Sequence, residues 1–207
     1  IYSIAIPSGV MTSLPSILVA LLNSLLATVS QTAIAFFGIY FKLQSFIYMP
    51  ANGLIQGMRP LISYNYGARH FDRVKKIIKV SIISTAVILC CGTIIFMGLP
   101  ELVLSWFNAT EQLLEIGIIG LRVISPCFIL STMGVVISGV FESLGKGRQS
   151  LTISLLRQFI ITLPLAYILL KVIGLNGIWL SFVIAEGIAS VIAVILIKKE
   201  LHNFKVD

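Results

Sequence analysis

The sequence is poor in charged residues and poorer still in acids. Charged side chains make up 11% of the chain, whereas soluble domains carry about 25%. Only eight residues are acidic, and the two aspartates, Asp72 and Asp207, lie outside the long apolar stretches. A pair of intramembrane catalytic aspartates is therefore missing, as are HExxH, CxxC and phosphate-loop motifs. These absences exclude an ordinary soluble domain and argue against an enzyme.

Cysteine and histidine are also scarce. The three cysteines, Cys90, Cys91 and Cys127, lie inside apolar stretches and lack the spacing of a metal site. His70 and His202 lie in polar segments, and nothing around them indicates a ligand set. We therefore expect no metal site and no bound cofactor.

Six long apolar stretches account for most of the chain. A hydrocarbon core of ~30 Å needs about 20 apolar residues as helix, and an open-ended segment satisfies its backbone in lipid only as helix. The sequence therefore predicts an all-α membrane protein with six transmembrane helices. The spans lie near 4–30, 32–58, 74–99, 113–144, 150–172 and 177–197. Pro50, Pro126 and Pro164 lie inside spans and predict kinks there.

The basic residues gather in every second break between spans. They are Arg69, Arg73, Lys75, Lys76, Lys79, Lys146, Arg148, Lys198, Lys199 and Lys205. A net charge of +7 would favour nucleic acid as the partner of a soluble protein. Here membrane topology explains the charge better, so we expect membrane lipid and no nucleic acid. The positive-inside rule places both ends of the chain in the cytoplasm of a multi-pass cell (inner) membrane protein.

The break at 100–112 differs from a plain loop. Pro100 and Glu101 suit the first turn of a short helix, and Trp106 suits an interfacial anchor. Asn108, followed by Glu111, predicts the cap of the fourth span.

The first two spans carry polar residues that lipid cannot pair. On the first span, Thr12, Ser16, Asn23 and Ser30 fall within about 40° of one another at ~100° per residue. This stripe suits either helix packing or a translocation cavity. The second span carries Tyr40, Gln44, Tyr48, Asn52 and Gln56. Residues four apart differ by about 40° around the helix axis, so the series winds around the helix unless Pro50 changes the helical register. Aromatic and amide groups favour a pocket for flat, cationic compounds slightly over helix packing.

Four charged residues lie deep inside spans, where each costs ~2.5–3.5 kcal/mol on insertion scales. Glu186 lies roughly 14 Å from the outer end of the sixth span, and Arg157 roughly 11 Å from the inner end of the fifth. These depths are similar, so we predict that the two residues pair, either as a structural brace or as part of an ion path. Lys42 and Arg122 are further candidates for an aqueous cavity.

Two stretches carry a family resemblance. Residues 56–68 read QGMRPLISYNYGA, which resembles the end of the eighth helix in multidrug and toxic compound extrusion (MATE) transporters. Residues 141–150 read FESLGKGRQS and, with Leu156-Arg157-Gln158 and Pro164, resemble the tenth-to-eleventh helix region of that family. Arg59 departs from the uncharged residue expected there.

The resemblance implies the C-terminal six-helix lobe of a twelve-helix MATE-like transporter. Such a protein exports cationic or lipophilic compounds in exchange for H⁺ or Na⁺, by alternating access. The resemblance also implies a missing N-terminal six-helix lobe, which would hold a leading candidate for ion coupling. The chain begins at Ile1, and we expect it to be part of a longer protein.

Two alternatives remain open at this point. One is a lobe of a related lipid-linked saccharide flippase, which should show clustered arginines in its cavity. The other is a structural membrane module that does not transport.

Overall fold

The described part of the chain folds into nine α-helices and one π-helical turn. The structure, a computed structural model, describes residues 2–203, with side chains from Ser13 to His202. The helices are α1 (Tyr2–Ala27), α2 (Gln31–Gly67), α3 (Phe71–Gly98), α4 (Pro100–Ser105), α5 (Glu111–Ile124), α6 (Pro126–Ser143), α7 (Gly147–Leu155), α8 (Thr162–Ile173) and α9 (Leu175–Asn203), with the π-helical turn at Leu156–Ile160 between α7 and α8.

Within residues 2–203, five helical segments are long and apolar enough to cross a bilayer. They are Gln31–Gly67, Phe71–Gly98, Pro126–Ser143, Gly147–Ile173 and Leu175–His202. The described part of α1 adds a shorter apolar segment, Ser13–Ala27. The predicted all-α class is confirmed.

Several predicted ranges differ from the helices: 150–172 contains the π-helical turn, and 177–197 lies within the longer helix α9. The range 113–144 is divided into α5 and α6, which meet at Ser125. Pro126 causes this break because its ring nitrogen cannot donate to the carbonyl of Arg122. Ser125 keeps helical dihedrals (φ −56°, ψ −38°), so the chain bends there and continues. Helix α2 runs nine residues beyond the predicted end at 58 and contains Pro60 as well as Pro50.

The segment before α5 contains the predicted short helix, α4, but the predicted cap is wrong. Thr110, not Asn108, is the N-cap of α5, and its side chain accepts a hydrogen bond from the Leu113 amide at 3.4 Å. Asn108 has φ of +49°, a left-handed conformation that ends the preceding turn. Thr110 has the extended backbone that an N-cap requires.

The buried apolar residues form two clusters along the bundle. One cluster includes Phe36, Phe128 and Trp179, and it extends to α4 and α5. The other includes Ile62, Phe141 and Ile197, close to the ends of α2, α6 and α9 that carry the basic segments. Glycine allows close packing in the first cluster, because a Cβ on Gly120 would collide with the Phe36 ring. A layer of polar side chains lies between the clusters.

Candidate functional site

The π-helical turn positions the arginine of this polar layer. The Ile161 amide donates to the Leu156 carbonyl, five residues back, at 3.1 Å. The Arg157 carbonyl therefore loses its usual backbone donor, and the Thr162 hydroxyl donates to it instead. Pro164 follows closely and cannot donate to the Ile160 carbonyl, which favours an irregular turn at this point.

Arg157 forms an ion pair with Glu186 of α9. Arg157 Nε and Nη2 lie 2.9 and 2.5 Å from the same oxygen, Glu186 Oε1. The two side chains are only 15% and 10% exposed. The pairing predicted from helix depth is therefore present in the structure. Both hydrogen bonds reach the same carboxylate oxygen, and the second, Oε2, is buried without a hydrogen-bond partner among the described residues.

A glycine brings α6 against this pair. A Cβ on Gly134 would lie 3.8 Å from Glu186 Oε2 and 4.0 Å from Arg157 Nη1. One turn along α9, the Ser190 hydroxyl donates to the Leu130 carbonyl of α6. Helix α6 thus closes one side of the ion pair with its backbone.

A cavity of about 440 Å³ opens on the other side of the pair. Its aromatic walls are Phe41, Tyr48 and Phe182, and its polar walls include Gln44, Asn52 and Gln158. Arg157 and Glu186 both line it. The cavity therefore combines aromatic faces, amides and one charge pair.

Tyr48 is held firmly in this wall. Its hydroxyl lies 2.5 Å from the Ser131 hydroxyl, which itself donates to the Phe128 carbonyl at 2.8 Å. Because serine has one hydroxyl proton, Tyr48 is the donor to Ser131. The Tyr48 ring also packs edge-on against Phe128, with ring centroids 5.7 Å apart.

The structure divides the predicted series on α2. Gln44, Tyr48 and Asn52 line the cavity. Tyr40 is fully buried in the apolar cluster that includes Phe36, Phe128 and Trp179, and Gln56 is exposed away from the cavity. The reason is the helical drift, since Tyr40 and Gln56 each lie about 80° from Tyr48 around the axis.

The other predicted polar residues lie outside the cavity. On α1, Pro15 and Leu18 line it, whereas Ser16 is exposed and Asn23 is half-buried. Ser16 and Asn23 are about 140–160° from Leu18 around the helix, on the opposite face. The Thr12 side chain falls outside the described residues. Lys42 and Arg122 are exposed and do not join the Arg157–Glu186 pair.

A second polar cluster lies nearer the basic ends of the helices, and sequence reasoning missed its pairings. Arg59 Nη2 lies 2.5 Å from Glu142 Oε2, and the Ser150 hydroxyl donates to Glu142 Oε1 at 3.0 Å. Lys146 pairs with Glu200 at 2.5 Å. The sequence contained a signal for the first of these pairs, because Arg59 stands where the family resemblance predicts an uncharged residue. A partly buried arginine needs a carboxylate partner.

Together, the fold and the cavity define a helical, multi-pass membrane protein with a polar layer enclosed between two apolar clusters. Comparison with known proteins specifies the family. The sequence model of the MatE family matches residues 7–168, and the chain belongs to this family.

Curated relatives are about twice as long as this chain. The multidrug export protein MepA of Staphylococcus haemolyticus (strain JCSC1435) is 31% identical over 208 residues, which cover 100% of this chain and 45% of the relative. MepA of Staphylococcus aureus (strain MSSA476) is 30% identical over 207 residues, covering 100% and 46%. The chain therefore spans about half the length of the relatives it matches.

Solved structures agree on the fold. One, described as the outward-facing conformation of a multidrug resistance MATE family transporter of the MOP superfamily, has a TM-score of 0.93 at 20% identity. This chain is covered completely, and 47% of the other chain is covered. A MOP superfamily transporter from Pyrococcus furiosus has a TM-score of 0.92 at 21% identity, covering 99% of this chain and 46% of the other. At these identities the likeness shows the fold alone.

Proposed function

We propose that this chain is the C-terminal six-helix lobe of a cation-coupled antiporter. The complete protein would export cationic or lipophilic drugs across the cell membrane by alternating access. The observation that carries the proposal is the cavity beside Arg157 and Glu186, in a chain whose MepA relatives are named multidrug export proteins.

The cavity walls suit a flat cation. Phe41, Tyr48 and Phe182 offer ring faces, and a cation over such a face gains ~0.5–2 kcal/mol. Gln44 and Asn52 offer amide oxygens that accept hydrogen bonds from N–H groups. The Arg157–Glu186 pair carries no net charge, so a cation entering the cavity meets no repulsion from it.

Protonation of Glu186 would make proton and drug compete. A neutral Glu186 leaves Arg157 as an uncompensated cation on the cavity wall, which disfavours a bound cationic drug. By linkage, a bound cationic drug disfavours the proton to the same extent. Such mutual exclusion is what exchange of a drug for a proton requires. A sodium ion beside the carboxylate would act on the drug in the same direction.

The missing N-terminal lobe would complete the cavity. Ser45, Met49 and Asn52 of α2 line the cavity and are exposed, so the cavity has a polar open side that lipid cannot pair. We assign this open side to the lobe interface, with both ends of the chain in the cytoplasm.

A flippase for lipid-linked saccharides is less well supported. A polyanionic pyrophosphate needs several cations free to bind it. Arg157, which lines this cavity, is already paired with Glu186, and Lys42 and Arg122 are not among the described residues that line it.

Ethidium efflux from cells carrying the complete gene tests the proposal. We expect efflux that slows when the proton or sodium gradient is collapsed. Gln44→Leu and Asn52→Leu should weaken it, whereas Gln31→Leu, an exposed amide at the start of the same helix, should not. If ethidium and other drug cations are retained as in cells without the gene, at normal protein levels, the export proposal is wrong.

A further inference from the structure

A second concavity lies between α2 and α3, and nothing in the proposed transport cycle uses it. Its volume is about 630 Å³. Leu54, Leu61, Ile77 and Val80 form apolar walls, and Arg73 and Lys76 lie at the end near the α2–α3 turn. We call this concavity the α2–α3 groove.

The two cations of the groove are available for a ligand. Arg73 and Lys76 are exposed, and neither forms an ion pair with a carboxylate in the described part of the chain. Asp72, the one acid in this basic segment, lies 3.6 Å from Lys75 instead. The groove therefore ends in two uncompensated positive charges.

The dimensions of the groove match one leaflet of a bilayer. From Leu54 to Asn65, its lining residues on α2 span about 16 Å along the helix. Half of a hydrocarbon core is about 15 Å. On α3, the lining runs from Arg73 to Ser84, which lies about 15 Å inside the predicted span that starts at 74. An acyl chain in the groove would thus reach from the middle of the bilayer to the headgroup level, where the two cations lie.

The groove also faces away from the drug cavity. At ~100° per residue, the α2 residues that line the groove are centred about 150° from those that line the cavity. If the other lobe completes the cavity, as proposed above, the groove faces lipid. This step alone rests on the proposed function.

We propose that the α2–α3 groove binds one anionic phospholipid of the adjacent leaflet. Arg73 and Lys76 hold the headgroup phosphate, and an acyl chain lies along Leu54, Leu61 and Val80. Each basic side chain near an anionic lipid contributes about fivefold to binding. The lipid would hold α2, which carries the cavity residues, against α3.

The experiment measures lipid binding to the complete, purified protein by native mass spectrometry in detergent. Dioleoyl phosphatidylglycerol and dioleoyl phosphatidylcholine are titrated separately. We expect one phosphatidylglycerol bound more tightly than any phosphatidylcholine. R73Q/K76Q should weaken that lipid about tenfold or more, whereas R69Q/K79Q, with the same loss of charge outside the groove, should not.

A second pair of variants tests the apolar walls. A Cβ on Gly57, which lines the groove, meets open space, as does one on Gly53, which does not line it. Gly57→Phe should fill the groove and displace the lipid, and Gly53→Phe should leave it bound. Inorganic phosphate should not compete, because it lacks an acyl chain.

Three results would overturn the assignment. They are equal affinity for the two lipids, equal losses in the two double variants, or unchanged binding in Gly57→Phe. Lipid binding is read without any drug, so a protein that binds phosphatidylglycerol but exports nothing would reject the proposed function and leave this inference standing.

Discussion

At the residue scale, the chemistry of the chain centres on one buried pair of opposite charges. Taking a charge out of water costs several kcal/mol, and a partner offsets that cost only with good hydrogen bonds. Arg157 directs two of its five N–H groups to one oxygen of Glu186, and the other carboxylate oxygen has no hydrogen-bond partner among the described residues. In the proposed cycle, Glu186 Oε2 is the oxygen left to take up a proton, and it lies on the α6 side of the pair.

Replacing one or both charged residues of the pair tests whether the pair is a structural brace or part of an ion path. Glu186→Gln leaves Arg157 buried and unpaired, and we expect a loss of ~3–5 kcal/mol in unfolding free energy. Arg157→Gln/Glu186→Gln should recover most of this loss, because neither residue is then charged. If Glu186 couples ion to drug, the double variant will be stable but its efflux will no longer depend on the ion gradient.

Thermal unfolding in detergent and ethidium efflux across pH measure the two effects. Glu115→Gln, at an exposed position on α5, is the control. A stable double variant with wild-type pH dependence would restrict the pair to a structural role.

Tyr48 offers a test of the aromatic wall. Tyr48→Phe keeps the ring and removes one hydroxyl that bonds Ser131, so we expect about 1 kcal/mol less stability and nearly normal efflux. Tyr48→Leu removes the ring face, and the KM for ethidium should rise about threefold to thirtyfold. Tyr167→Leu, which removes an exposed ring near Lys171 on α8, should leave the KM unchanged. Equal KM values in all three variants would exclude Tyr48 from drug binding.

Individual residues could be predicted from the sequence where their depth in a span or their charge left few possible partners. Arg157 and Glu186 could be paired because few charges lie deep in apolar spans, and their depths matched. The series on α2 was resolved only by the structure, because a spacing of four rotates steadily and the pattern does not show which turn faces inward. Ser131 and Gln158 were missed because small hydroxyls and isolated amides are common in packed helices.

At the element scale, the π-helical turn between α7 and α8 sets which way the side chains of α8 face relative to Arg157. One extra residue in the turn shifts all later side chains by about 100° relative to a regular helix. Thr162 fills the gap in the hydrogen bonding by donating to the Arg157 carbonyl. Pro164 predicted an irregularity from the sequence, but proline alone does not distinguish a simple kink from a π-helical turn.

Thr162→Val tests this support for the turn. The variant keeps the shape of the side chain and leaves the partly buried Arg157 carbonyl without its donor, so we expect a loss of about 1–3 kcal/mol in unfolding free energy. Thr162→Ser should retain most of the stability. Thr152→Val is the matched control, because Thr152 donates to the Arg148 carbonyl at 2.9 Å on an exposed face. Thermal unfolding midpoints in detergent give the comparison, and equal midpoints for the Val variants at 162 and 152 would contradict the role of Thr162.

At the scale of the whole molecule, the polar layer between the two apolar clusters is a consequence of the bilayer. Lipid is as apolar as leucine, so the outer surface gains little from burial and polar groups must turn toward one another. Hydropathy alone therefore predicted the class and the approximate positions of the helices. How the helices pack depends on close contacts, such as that of Gly120 with Phe36, and a hydropathy pattern does not identify such contacts.

The separate lobe should not transport, and this prediction follows from the cavity itself. Its walls come from one six-helix lobe, and Ser45, Met49 and Asn52 are exposed on its open side. Vesicles containing only residues 1–207 should not accumulate ethidium under a proton or sodium gradient. Vesicles containing the complete gene product should, and lobes produced together as two chains should recover part of that activity if they associate.

The lobe must be shown to be inserted and helical by circular dichroism, so that inactivity is not mistaken for misfolding. Dye accumulation by the inserted lobe alone would mean that one lobe, or two copies of it, encloses a complete pathway, and the division of the cavity between two different lobes would then be wrong.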